Sequence, residues 1–144
     1  MAATSFVSLS YPKTRESLEK VVKIVRTDTT AFVGAWLPKD AVITGMYVIG
    51  QAASDAATSA SISVGTTSTA NELLATFDVK TAATGEGYNP AGAAAVGTAF
   101  MEKLTSDKPV YAKYVEAGTA STVGGPWYVK IEYSVVGSGE TIQL

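Results

Sequence analysis

Trp127-Tyr128-Val129-Lys130-Ile131-Glu132-Tyr133-Ser134-Val135-Val136 decides the fold. Trp127, Val129, Ile131, Tyr133 and Val135 fall on one side of an extended chain, and Tyr128, Lys130, Glu132 and Ser134 on the other. That period of two predicts a strand with one buried face, and it places Trp127 and Tyr133 in the core, Lys130 and Glu132 outside. Upstream, Pro109–Glu116 alternates Val110, Ala112 and Tyr114 against Tyr111, Lys113 and Val115. The two runs read as an antiparallel pair joined by a long loop, Ala117–Pro126, with three Gly and one Pro. Ser59–Thr66 sets Ala60, Ile62 and Val64 against serines, with Gly65 as a closing turn. Ala41–Gly50 contains VITGMYVI, too short and too β-branched for a helix, and reads as a strand buried on both faces. Phe6–Tyr11, Thr30–Trp36 and Val96–Lys103 carry the same pattern more weakly.

Two segments carry mixed signals. Glu16–Arg26 aligns Leu18, Val21, Val22 and Val25 on one helical face and offers Glu16–Lys20 and Glu19–Lys23 at i,i+4. Its β-branched VVKIV run favours a strand over Lys20–Thr27 instead. Thr69 and Glu72 have capping-box spacing, but Leu73–Lys80 alternates as a strand. Thr81–Ala95 is long for a connection, and loops of that size are often functional. With no long helix, no internal repeat and Gly-rich connections, the expected fold is all-β: an antiparallel β-sandwich, jelly-roll-like, of about eight strands. One domain spans residues 1–144, with residues 1–12 a candidate N-terminal arm.

The 144 residues include no His and no Cys. Imidazole and thiolate supply most general bases, activated nucleophiles and transition-metal ligands, so His- and Cys-dependent catalysis, thiol redox chemistry, ordinary zinc sites and His- or Cys-ligated haem are excluded. A formal net charge of −2 argues against a nucleic-acid footprint. The start, Met1–Ser5, has neither a basic n-region nor an apolar h-region, and no apolar run approaches a membrane span. A soluble chain made in a cytoplasm, with no membrane partner, is therefore expected.

Carboxylates remain. A glycosidase needs two of them across a cleft, about 5–9.5 Å apart, but the acids here are scattered singly, and Asp40 and Asp107 read as turn residues. Ser54-Asp55 and Gly85-Glu86-Gly87 offer one acid each, short of a calcium loop, and Gly124-Gly125-Pro126 enters a strand, not a helix, so it makes no phosphate cradle. No enzyme and no cofactor is expected. Residues 1–28 hold five basic against three acidic residues, net +2, and the remainder −4, which reads either as a basic edge for an acidic partner or as ordinary charge mixing. Tyr11 and Tyr88 sit where a side chain reaches outward, a position in which Tyr buries area and keeps a polar tip.

The segments Leu37-Pro38-Lys39-Asp40-Ala41-Val42-Ile43-Thr44-Gly45-Met46-Tyr47-Val48, Ser61-Ile62-Ser63-Val64-Gly65-Thr66, Asn71-Glu72-Leu73-Leu74-Ala75 and Lys108-Pro109-Val110-Tyr111-Ala112, with Trp127–Val136, resemble small β-sandwich virion proteins of tailed bacteriophages. The nearest of these are capsid decoration, or cement, proteins. The resemblance implies a jelly-roll-like protein on the capsid exterior that binds major capsid protein where subunits meet and ties them together. It also implies a homo-oligomer, dimer or trimer, made in the host cytoplasm. Under that implication Phe6, Tyr11, Lys13 and Arg15 are the candidate docking residues. The alternative is a receptor- or glycan-binding module of a head or tail fibre, with Tyr88 and the Gly-rich loops as its contacts; a carboxylate-dependent glycan hydrolase is a third reading.

Overall fold

The computed structural model describes residues 17–81, 87–88 and 102–136, with backbone alone at 87–88. The described elements are eight strands: β1 (Leu18–Ile24), β2 (Phe32–Leu37), β3 (Ala41–Gly50), β4 (Ser59–Gly65), β5 (Leu74–Asp78), β6 (Gly87–Tyr88), β7 (Lys108–Ala117) and β8 (Trp127–Val135). They form two four-stranded sheets, ordered β1-β8-β3-β6 and β2-β7-β4-β5, and every pairing is antiparallel. Except at the β4–β5 hairpin, each step along the chain moves from one sheet to the other. That interleaved order, with first and last strands adjacent, is a jelly roll.

The alternating stretch Trp127–Val135 forms β8, in the interior of its sheet between β1 and β3. Trp127, Val129, Ile131 and Tyr133 are buried there, as their spacing predicts. From the facing sheet Val110, Ala112 and Tyr114 of β7 and Ala60, Ile62 and Val64 of β4 meet them. Fully burying a Val, Leu or Ile side chain contributes roughly 1.5–3 kcal/mol, so this two-layer core replaces the disulfides the chain cannot form.

Two expectations are corrected. The Pro109–Glu116 and Trp127–Val136 runs do not pair: β7 bonds β2 and β4, whereas β8 bonds β1 and β3. Their connection crosses between layers. Alternation specifies which face of a strand is apolar but not which neighbour it joins. Nor is β3 buried on both faces. Ala41, Ile43, Met46 and Val48 point inward, while Tyr47 is half-buried and Ile49 exposed on the outer face. A register shift between Ile43 and Gly45 changes parity, so Ile43 and Met46, three apart, both reach the core.

The helix-or-strand ambiguity resolves as a strand, β1, and Glu72 closes a loop instead of capping a helix. Ser17–Ile24 enters the fold at a sheet margin, with β1 lying against β2 across the sandwich. Gly34 permits that approach: an added Cβ would sit 2.5 Å from Val22 Cγ1. Phe6–Tyr11, and Val96–Lys103 apart from its last residues, lie outside the described residues. Lys103 makes an isolated bridge with Val42 and a 3.3 Å ion pair with Asp40.

Candidate interaction surface

Several of the described acids act as loop clamps. Asp55 accepts hydrogen bonds from the Thr122 amide (2.8 Å), the Thr122 hydroxyl (2.8 Å) and the Val123 amide (2.9 Å). The Val123 amide, above all, holds its carboxyl below the usual range. These bonds tie the β3–β4 loop to the β7–β8 crossover, a junction extended by Ala57 N to Thr119 O and Gly125 N to Ala52 O. Asp78 accepts from the Thr81 hydroxyl at 2.6 Å, which is the main reason its pKa is lowered. Asp107 Oδ1 accepts from Lys39 N at 2.8 Å, and Asp40 adopts a left-handed φ of 68° in the turn between β2 and β3. Both are the turn residues their neighbours suggest.

Glu72 is the tightest of these clamps. Its Oε1 accepts from the amides of Thr66 and Thr67, and its Oε2 from the hydroxyls of Thr67 and Thr69. Partial burial alone would raise its carboxyl, but the four bonds outweigh it and pull the pKa down to about 2. Gly65 leaves the space for this arrangement, since an added Cβ would strike Glu72 Oε1 and lie 2.6 Å from Asn71 N.

Near the same end of the sandwich as Asp55, the fully buried Tyr114 phenol donates to Glu116 Oε2 at 2.7 Å. Its proton thus committed, it accepts from Ser54 Oγ at 2.7 Å. Burial raises the phenol's pKa, while hydrogen bonding, first from Ser121, lowers that of Glu116. Each of the described carboxyls with a shifted pKa, Asp55, Glu72, Asp78 and Glu116, is shifted downward. A glycosidase general acid needs the opposite shift. Among the described residues no three His, Cys, Asp or Glu side chains converge as a metal site.

The contact-forming features lie elsewhere. Among the described residues seven large hydrophobic side chains are exposed, and four of them, Leu18, Val21, Val33 and Trp36, belong to β1 and β2. Those two strands are margins of the two sheets on one side of the sandwich. Trp36, 57% exposed, flanks an open cleft of about 390 Å³ together with Lys20, Leu37, Pro38, Asp107 and Tyr133. Simple alternation hides Trp36. A register shift at Gly34 makes Val33 pair with Tyr111 and Trp36 with Pro109, both on the outer side of β7, so residues three apart share a face.

On the outer face of the first sheet, Lys130 bridges Glu19 and Glu132, each at 3.3 Å, and lies 5.7 Å from the Tyr47 ring centroid. The described basic residues of the first 28, Lys20, Lys23 and Arg26, do not form one patch. Lys20 lines the cleft, Lys23 is exposed on the outer face, and Arg26 donates to Ser121 O at 2.9 Å. Of the candidate docking residues, Phe6, Tyr11, Lys13 and Arg15 lie outside the described residues. Tyr88 is placed by its backbone alone, in β6 opposite Val48.

The jelly roll has counterparts among solved structures. One is a chain of the cyanophage Pam1 capsid asymmetric unit, with TM-score 0.59 and 20% identity over 83% of this chain and 84% of that one. Another is a chain of the acidic stable capsid of Helicobacter pylori bacteriophage KHP30, with TM-score 0.50 and 16% identity over 83% of this chain and 92% of that one. At these identities the likeness is one of fold. No protein-family model matches the sequence, and no curated protein matches it.

Proposed function

We propose that the chain is a structural protein of a phage virion, and within that class a decoration protein that binds the outside of the assembled capsid and bridges its subunits. The observation that carries this reading is the fold likeness to chains from two phage capsids. It extends over most of the chain in both directions, so the matched chains are about as long as this one. A ligand that binds the assembled shell but not its separated subunits stabilises the shell by mass action, and modest contacts presented by an oligomer add through effective concentration. No catalytic step is needed. The clamped loops and two-layer core supply a rigid body that loses little freedom on docking.

In this reading major capsid protein is the partner, and Phe6, Tyr11, Lys13 and Arg15, with Tyr88, make the contact. The test is a protein gel of purified particles. A 14.9 kDa band in many copies per particle is expected, and its absence from particles of the phage that encodes the chain overturns the reading. A receptor- or glycan-binding module is favoured by one feature, the exposed Trp36 beside Lys20 and Asp107 in an open cleft. Glycan-array binding lost on Trp36→Ala would select it.

A further inference from the structure

We propose that β1 is the interface between two copies of this chain, pairing antiparallel with itself about a two-fold axis at Val21. A sheet margin presents a row of unpaired amides and carbonyls, and proteins usually blunt it with a bulge, a very short strand or a charge. Among the described marginal strands, β2 and β5 each carry a register shift and β6 has two residues. β1 runs seven residues against β8 without a shift. Its inward-facing charge, Lys20, lines the cleft beside Trp36 and Tyr133. Its apolar Leu18 and Val21 are exposed, Val21 at 51%.

The outer face of β1 (Leu18-Glu19-Lys20-Val21-Val22-Lys23-Ile24) is complementary to itself when reversed about Val21. On the outer face Glu19 meets Lys23 of a second copy, Val21 meets its own counterpart, and Lys23 meets Glu19. On the inner face Val22 and Ile24 are already buried within their own chain, so the pairing rests on the outer face and on the backbone of the margin. Opposite charges directly across an antiparallel pair stabilise it, and like charges destabilise it. Glu19 already reaches Lys130 at 3.3 Å within its own chain, whereas Lys23 forms no salt bridge among the described residues. A two-fold axis perpendicular to the sheet also sets the β2 margins of the two copies side by side, bringing their exposed Val33 and Trp36 toward the junction. The result is one sheet continuous through both molecules. This inference concerns the purified chain and stands apart from the capsid reading.

The full chain contains no cysteine, so introduced thiols report position. Directly opposed residues in an antiparallel pair have Cα atoms about 4.5–5.5 Å apart, within disulfide range. Val21→Cys is expected to form a covalent dimer on mild oxidation at least about tenfold faster than Val123→Cys, an exposed control away from β1, because pairing raises the thiol's effective concentration. In sedimentation velocity the unmodified chain should be a dimer. Lys23→Glu should weaken association by about tenfold or more through two like-charge contacts, and Glu19→Lys combined with Lys23→Glu should restore it. Circular dichroism of each variant separates lost association from lost folding. A monomer or trimer, equal oxidation rates at the two positions, or no recovery in the double variant would overturn the proposal.

Discussion

The rings of Tyr114 and Trp127 stack across the two layers of the jelly roll, with centroids 5.3 Å apart and planes inclined by 10°. Tyr114 belongs to β7 and Trp127 opens β8, so the contact spans the crossover that joins the sheets. At that end the Tyr114 hydroxyl meets Ser54 and Glu116, and Asp55 ties the neighbouring loop to Thr122 and Val123.

Removing the indole should therefore cost most of what a large core truncation can. Trp127→Ala is expected to lose about 3–5 kcal/mol in urea unfolding. Tyr114→Phe keeps the stack but strips a buried hydroxyl from Ser54 and Glu116, for an expected loss of about 1–3 kcal/mol. Equal losses for the two substitutions would mean that the polar contacts, not the rings, hold this end together.

Glu72 makes stability depend on pH. Its carboxyl drops from 4.5 to about 2 on folding, so the folded state binds that proton less readily than the unfolded chain does. Its contribution is complete above about pH 4.5 and is lost as the pH falls toward about 2. Glu72→Gln should lower the urea midpoint at pH 7 and converge on the unsubstituted protein near pH 2. A midpoint difference that does not change with pH would contradict the clamp.

Gly65→Ala tests the same loop sterically. The new methyl group meets Glu72 Oε1 and the Asn71 amide, and an overpacking cost of about 1–3 kcal/mol is expected. Combined with Glu72→Gln, the two losses should be less than additive, because both break one arrangement.

The layers of this fold are legible in the sequence, and their neighbours are not. Alternation over Trp127–Val135 and Lys108–Ala117 identifies two strands and the inward side of each, since period two follows from the pleat. It carries no information on pairing, which is why two strands close in sequence look like a hairpin yet lie in different sheets. Where a register shift changes parity, at Gly34 and at Thr44, the pattern misleads: Trp36 passes for an ordinary strand residue, and the outer face of β3 passes for core. The acids show a different limit. Thr69 and Glu72 have helix-cap spacing, and only the folded loop reveals that the same side chains close a turn around Gly65. The docking residues that the resemblance implies, Phe6, Tyr11, Lys13 and Arg15, lie outside the described residues. The exposed apolar groups at β1 and β2 come from the topology, which sets two marginal strands side by side.

Truncation separates docking from folding. Under the proposed decoration role, deleting residues 1–12, the candidate N-terminal arm, is expected to weaken capsid binding and leave the melting temperature unchanged. A fall in melting temperature would assign Phe6–Tyr11 to the fold instead.

For the proposed decoration role the most direct measurement is co-sedimentation of the purified chain with assembled heads of a phage whose genome encodes it, alongside unassembled capsid subunits. A capsid-decorating role predicts saturable binding to the assembled heads, at a fixed ratio of copies to capsid subunits, and none to the separated subunits. A chain that stays in the supernatant with intact heads across salt conditions, or that binds free subunits equally well, would contradict it.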